Sequence, residues 1–155
     1  MAANTTFTSG NVLTAAQMND LPWGYVGLQT LTTSFATSAT HTTFQDSGMT
    51  LTFTEVNGRK YKITARVNPY PSGGLQGIKM RIVRGSTAIA QSDFSSAVLD
   101  TGVSFPTSIV YVYTSTASGS ATFKIQIGAL TNNTTVEDFG SATYPRQFFI
   151  EDIGS

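Results

Sequence analysis

The sequence predicts an all-β protein, an antiparallel β-sandwich, with a short helical arm at its N-terminus. From about Tyr25 onward, apolar and polar side chains alternate with a period of two in short segments separated by turn-forming residues. No long amphipathic helix follows Trp23, and no internal repeat is present. About eight short strands without a βαβ pattern favour a jelly roll. Since 155 residues suit one domain, we expect an arm over residues 1–24 and one sandwich domain over 25–155.

The arm carries the signals of a short helix. Thr14 and Gln17 form a capping box, and Leu13 and Met18 occupy the positions of a hydrophobic staple. Pro22 prevents continuation, and so short a helix is marginal in water unless it packs on something. We therefore expect the arm to dock on a partner, although packing on its own domain stays an alternative. The expected docking residues are Phe7, Val12, Leu13, Met18, Leu21 and Trp23.

The strands follow in order along the chain. Residues 49–54 and 61–67 alternate clearly, and Asn57-Gly58 between them predicts a β-hairpin that pairs the two segments. Residues 68–74, rich in proline and glycine, predict a loop. The remaining predicted strands are 78–82, 89–94, 98–103, 109–113, 123–127 and 148–150.

The segment 109–113 is apolar or aromatic on both faces, which a half-solvated sheet does not need. Alternation places Tyr111 and Tyr113 on one side and Val110 and Val112 on the other. We predict that the tyrosines form the subunit contact of a homotrimer and that the valines fill the sandwich, because aromatic residues are enriched at interface cores. The alternative is that both faces are internal.

Composition excludes several classes of function. Only 12% of the residues are charged and the formal net charge is zero, so no global field attracts a nucleic acid or a membrane surface. The chain has no cysteine, which excludes disulfides, thiolate nucleophiles and cysteine-bound metals. The apolar runs are too short to span a bilayer, and residues 1–6 lack the features of a signal peptide. We expect neither nucleic acid nor membrane as a partner.

Candidates for chemistry are few. His41 is the single histidine and lies in a polar run, which favours a solvated side chain over a catalytic base. The acidic pairs Glu137-Asp138 and Glu151-Asp152 are candidates for a glycosidase or cation site. Adjacent residues on a strand point to opposite faces, so neither pair alone converges on a substrate. We therefore predict no catalytic residue, no metal and no cofactor.

Basic residues are concentrated between Glu55 and Asp93. If the two strands that carry them pair, they form one positive surface; the alternative is the ordinary solvent face of a hairpin. The residues are Arg59, Lys60, Lys62, Arg66, Lys79, Arg81 and Arg84.

Both ends of the chain carry a resemblance to a known group of proteins. The opening Phe7-x-x-Gly10-x-Val12-Leu13-Thr14-Ala15-Ala16-x-Met18-Asn19 resembles the lead-in of small virion proteins of tailed bacteriophages, and the ending Phe148-Phe149-Ile150-Glu151-Asp152-Ile153-Gly154 is similar to endings in that group. Residues after about Ser34 resemble, in style, the trimeric jelly rolls of capsid decoration proteins and fibre heads, whose architecture is tumour-necrosis-factor-like. The resemblance transfers an attachment arm and no catalytic residue.

Three functions follow as hypotheses. The first is a non-enzymatic, trimeric capsid decoration (cement) protein, made in the host cytoplasm, located on the virion exterior and docked by its arm on the major capsid protein or another virion protein. The second is a tail-fibre or fibre-head module that binds a host receptor or surface glycan, with Tyr70 stacking on sugars. The third is a glycan hydrolase that uses Glu137 and Glu151.

Overall fold

The computed structural model describes residues Ala15, Met18, 21–37, 43–72, 78–94, 106–130 and 135–155. The regular secondary structure of this part of the chain is almost entirely β-strand. Its strands are β1 (Gly24–Leu31), β2 (Phe35–Thr37), β3 (Gln45–Glu55), β4 (Lys60–Val67), β5 (Pro69–Ser72), β6 (Ile78–Arg84), β7 (Thr87–Phe94), β8 (Thr107–Thr114), β9 (Gly119–Ala129), β10 (Thr135–Asp138) and β11 (Arg146–Gly154).

Two four-stranded antiparallel sheets form the sandwich. The front sheet has the order β1-β11-β4-β8, and the back sheet has the order β3-β9-β6-β7. If the short strands β2, β5 and β10 are left aside, eight long strands remain. Numbered 1 to 8 along the chain, they have the order 1-8-3-6 in the front sheet and 2-7-4-5 in the back sheet. This is the strand order of a jelly roll, so the predicted all-β sandwich is confirmed.

A third, three-stranded sheet has the order β2-β10-β5 and lies at one end of the sandwich, which we call the crossover end. Each of its strands belongs to a connection that carries the chain from one large sheet to the other. The prediction that residues 68–74 are only loop was wrong, because β5 pairs antiparallel with β10 from Pro69 to Ser72. Proline is tolerated in so short an edge strand.

The predicted hairpin between β3 and β4 was also wrong. Asn57 and Gly58 do form the turn, and Gly58 has a φ of 85°. However, β3 pairs with β9 in the back sheet, whereas β4 pairs with β11 and β8 in the front sheet. The turn therefore joins two layers, because each strand buries its apolar face toward the other sheet.

The core lies between the two large sheets and consists of the inward-facing residues of alternate positions. Phe53, which is partly buried, packs against the core: its ring stacks on Phe123 at 5.3 Å and lies 4.9 Å from Tyr61, measured between ring centroids. The fully buried core residues are Met49, Tyr61, Ile63, Ala65, Val67, Ile78, Met80, Ile82, Phe123, Ile125, Ile127, Ala129, Phe148 and Ile150.

Several expectations reach beyond the described residues. Ala15 and Met18 are helical, and the amide of Leu21 donates to the carbonyl of Met18 at 3.3 Å. The other residues of the predicted helix and the predicted strand 98–103 lie outside the described part. No helix within the described ranges is long and apolar enough to cross a membrane.

Candidate functional site

A buried arginine binds the segment that joins the N-terminal arm to the sandwich. We call this segment, residues 21–25, the arm root. Arg59 follows the 57–58 turn, and Asp152 lies on the inner side of β11; their side chains are 4% and 0% exposed. Arg59 Nε and Nη2 donate to the two carboxylate oxygens of Asp152, each at 2.6 Å. Arg59 Nη2 also donates to the carbonyl of Leu21 at 2.6 Å. The body of the domain thus holds the first described stretch of chain by its backbone.

Trp23 extends this contact. The guanidinium carbon of Arg59 lies 4.1 Å from the centroid of the Trp23 ring, which is the geometry of a cation–π interaction. The tryptophan is nevertheless 58% exposed. The arm root therefore presents an exposed aromatic side chain next to a backbone carbonyl that is hydrogen-bonded to the sandwich.

The predicted docking residues divide into two groups. Met18, Leu21 and Trp23 are 57%, 43% and 58% exposed. Side chains that dock on a partner have to be exposed in the isolated protomer. Phe7, Val12 and Leu13 lie outside the described residues. Docking itself stays a prediction.

The outer face of the front sheet was not predicted as a site. Direct cross-strand pairing places Leu28, Phe149, Thr64 and Val110 in one row across all four strands. Leu28 and Val110 are 47% and 55% exposed at the two ends of this row. The hydroxyl oxygen of Thr64, in the middle, is buried without a hydrogen-bond partner. The row is therefore a mostly apolar stripe, and the hydroxyl oxygen at its centre is shielded from solvent.

The neighbouring row is mixed in character. It runs from Tyr25 through Glu151 and Lys62 to Val112. Lys62 Nζ lies 3.1 Å from a carboxylate oxygen of Glu151, and both side chains are about 40% exposed. Tyr25 is 66% exposed and connects this face to the arm root. Sequence alternation missed Tyr25 and Leu28 as partners because a β-bulge at Val26 shifts the parity of β1.

The predicted orientation of β8 was wrong. Val110 and Val112, expected inside the sandwich, are 55% and 47% exposed on the outer face. Tyr113, expected at a subunit contact, is 9% exposed and packs edge-on against Phe123 with 5.6 Å between ring centroids. Tyr111, from the same expectation, is 37% exposed at the sheet edge. Ile109 and Tyr113 are the β8 side chains that lie in the core, so the valines on the opposite face of the strand are turned toward solvent. The homotrimer itself stays a prediction.

The two basic strands do not form one surface. β4 lies in the front sheet and β6 in the back sheet, so the condition for one positive surface, that the two strands pair, is not met. Several of the basic residues instead form ion pairs, such as Arg59 with Asp152 and Arg84 with the buried carboxylate of Glu55.

The candidates for chemistry are scattered in the described part of the chain. His41 lies outside it, and of Glu137 only the backbone, in β10, is described. Glu151 is engaged with Lys62. No cluster of three or more metal-binding side chains occurs among the described residues.

A second buried ion pair closes the crossover end. Arg146 donates to Asp138, and the two side chains are 2% and 1% exposed. Arg146 also donates to the carbonyl of Ser47 at 2.5 Å, and Asp138 accepts the amide of Asn68 at 2.8 Å. Burial raises the pKa of the Asp138 carboxyl above its ordinary value, while Arg146 and the Asn68 amide act in the opposite direction.

This raised pKa gives a testable pH dependence. The contribution of Asp138 to the free energy of unfolding is fully present below the ordinary pKa of 3.8 and is lost as the pH rises through the folded-state value. Asp138→Asn removes this titration. The free energy of unfolding of the natural chain, measured against that of D138N by urea titration, is therefore expected to fall as the pH is raised above 3.8. A difference that stays constant or grows with pH would contradict the assignment.

No protein-family model matches this sequence, and no curated protein matches it. Among solved structures, dimeric latent PorU from Porphyromonas gingivalis is similar with a TM-score of 0.48 and 11% identity over 96% of this chain and 14% of its own. The delta-endotoxin Cry8Ea1 from Bacillus thuringiensis has a TM-score of 0.42 and 14% identity, over 79% of this chain and 19% of its own.

The VP2 subviral particle of infectious bursal disease virus is similar with a TM-score of 0.37 and 12% identity, over 83% of this chain and 38% of the VP2 chain. The chain thus spans well under half of the length of each of these proteins.

Proposed function

We propose that this protein is a non-enzymatic structural protein of a tailed-bacteriophage virion, a capsid decoration protein that docks on the particle through its N-terminal arm. The observation that carries the proposal is the arm root. Leu21, Trp23 and Tyr25 are exposed at alternate positions of the chain. Arg59 Nη2 donates both to the carbonyl of Leu21 and to the carboxylate of the buried Asp152. An exposed apolar group on a rigid base loses little entropy on binding, which favours attachment.

The partner that suits this surface is another virion protein, such as the major capsid protein, with an apolar groove on the particle exterior. Apolar area buried there contributes about 25 cal/mol per Å², and Trp and Tyr are the side chains that most often anchor interfaces. Attachment through one short arm is weak, so we propose that several arms act together on one oligomer. The homotrimer expected from the sequence remains one form of this proposal.

A second candidate, the fibre-head module that binds a host glycan, is favoured by one observation at the crossover end. Phe139 and Tyr144 are 38% and 56% exposed there, at the start of β11, whereas the arm root lies beside its end. If the arm attaches the protein to the particle, these aromatic side chains point away from it, and exposed aromatic rings suit stacking on sugars.

Deletion of residues 1–20 combined with Trp23→Ala tests the attachment by the arm, because it removes the exposed tryptophan of the arm root and keeps the Leu21 carbonyl that Arg59 binds. The truncated protein is expected to keep its β-sheet circular dichroism spectrum and its cooperative unfolding but to lose binding to particles that lack the natural protein. Co-sedimentation with particles measures this binding. Full-length Tyr144→Ala serves as the matched control and should bind like the natural chain. Normal binding of the truncated protein would refute attachment by the arm.

Immunogold labelling of intact virions separates the two candidates. Label over the capsid supports the decoration protein. Label at the tail tip, together with loss of binding to host cells in Tyr144→Ala, would replace it by the fibre-head module.

A further inference from the structure

Strand β8 forms one edge of the front sheet. It pairs with β4 on one side, and its backbone has no strand beside it on the other side within the described part of the chain. An edge strand presents a row of unpaired N–H and C=O groups, which is a template for pairing with another chain.

In the two large sheets the other three edge strands carry protective features, whereas within the described ranges β8 carries none. The edge strands β1, β3 and β7 each contain a bulge, at Val26, at 47–49 and at Ile89 respectively. β8 pairs with β4 over its whole length from Thr107 to Thr114 without a register shift. It also contains no charged residue and no proline. Bulges and charges are the usual devices that prevent edge pairing, and strand β8 itself contains neither.

The three central exposed side chains of β8 are apolar or aromatic, whereas the exposed side chains near its ends, Ser108 and Thr114, carry hydroxyl groups. Val110, Tyr111 and Val112 are 55%, 37% and 47% exposed, in three consecutive positions. Charge would be expected at such positions in a strand that has to stay unpaired.

The sequence of β8 is close to symmetric about Tyr111. Val110 and Val112 flank it, followed by Ile109 and Tyr113, and then by Ser108 and Thr114. An antiparallel pair of two such strands with Tyr111 at the two-fold axis therefore places Val110 opposite Val112 of the second copy. Apolar or aromatic side chains then oppose one another, hydroxyl side chains oppose one another near the ends, and no charge opposes a charge.

We propose that β8 pairs antiparallel with β8 of a second copy of this chain, centred on Tyr111, so that the two front sheets join into one. The four valines then form an apolar cluster on the outer face, and each Tyr111 covers the other at the sheet edge. A self-complementary contact of this kind closes at two subunits. It uses the strand to which the sequence assigned a trimer contact, so the two assemblies exclude one another. The pairing does not depend on the proposed virion role.

Paired charges test both the contact and its register. Val110→Lys alone and Val112→Glu alone each bury a charge opposite valine and are expected to weaken dimerisation about tenfold or more. The double variant V110K/V112E places lysine opposite glutamate twice and should restore the dimer. Sedimentation velocity over a range of concentrations measures the association of the full chain. Leu28→Lys, at the far edge of the same face, is the control and should dimerise normally.

Cross-linking gives a second measurement that does not depend on affinity. The natural chain has no cysteine, so Tyr111→Cys introduces a single thiol at the proposed axis. Directly opposed residues in antiparallel strands have Cα atoms about 4.5–5.5 Å apart, within the range for a disulfide. Oxidised Y111C should run as a covalent dimer, whereas L28C should stay monomeric.

The proposal is overturned if the natural chain sediments as a monomer or a trimer at every concentration. It is also overturned if V110K/V112E associates no better than the single variants, or if Y111C and L28C cross-link equally. Circular dichroism of each variant establishes that the sandwich is intact, which is expected because residues 110, 111 and 112 are all partly exposed.

Discussion

Replacing Arg146 by methionine is expected to lower the free energy of unfolding by about 3–5 kcal/mol, the usual effect of removing one partner of a buried ion pair. Arg146 is 2% exposed on its side chain and neutralises Asp138, which is 1% exposed. It also donates to the carbonyls of Thr33 and Ser47, at 3.1 and 2.5 Å. The substitution therefore leaves a charge and two carbonyl groups unpaired at the crossover end.

Chemical denaturation at neutral pH measures this loss, with Lys124→Met as the matched control. Lys124 makes an ion pair with Asp46 in which the side chains are 35% and 47% exposed, so its loss should change stability by less than about 1 kcal/mol. Part of the loss in R146M should return on acidification, since Asp138 can then protonate, and part should return in R146M/D138N. Equal effects of R146M and K124M would contradict the assignment.

The sequence predicted the layers of this fold better than its connections. Alternation identified Tyr61, Ile63, Ala65 and Val67 as one face of a strand, and all four are in the core. Such a pattern indicates which face of a strand is buried, because the alternation of apolar and polar residues lies within the strand itself. It does not report which strand pairs with which, and Asn57-Gly58 suits any tight turn, including one between two sheets.

The orientation of β8 could not be predicted for the same reason. Ile109, Tyr111 and Tyr113 on one side and Val110 and Val112 on the other are both apolar, so the pattern carries no preference between inside and outside. The inward orientation of Tyr113 goes with its contact to Phe123 in the back sheet, and this contact between the two layers is not visible in the sequence of β8.

The buried ion pairs did leave a signal in the sequence. Along β11, Arg146, Phe148, Ile150 and Asp152 share one parity and are all buried. Two apolar residues with a charged residue on either side predict that each of the two charged side chains on the inner face of β11 has an oppositely charged partner. Their partners, Asp138 and Arg59, come from other elements and follow only from the topology.

Replacing Arg59 by methionine is expected to destabilise the protein by about 3–5 kcal/mol and to release the arm root at the same time. Asp152 would keep the hydrogen bond from the amide of Gly154, at 2.9 Å, but would lose both hydrogen bonds from the guanidinium group. Lys62→Met is the matched control, because its partner Glu151 is the neighbour of Asp152 but the pair is exposed. The control should change stability by less than about 1 kcal/mol.

Trp23 separates the local effect of Arg59→Met from the global one, since it is the only tryptophan in the chain. Its fluorescence in the folded variant should shift to longer wavelength and lose anisotropy, because the ring no longer lies 4.1 Å from a guanidinium group. Arg59→Lys keeps the charge but cannot bind both carboxylate oxygens and Leu21, so it should give an intermediate result. If stability falls in R59M while the fluorescence of Trp23 is unchanged, other contacts fix the arm root. In that case Arg59 does not prepare the arm for docking, and R59M should still decorate particles.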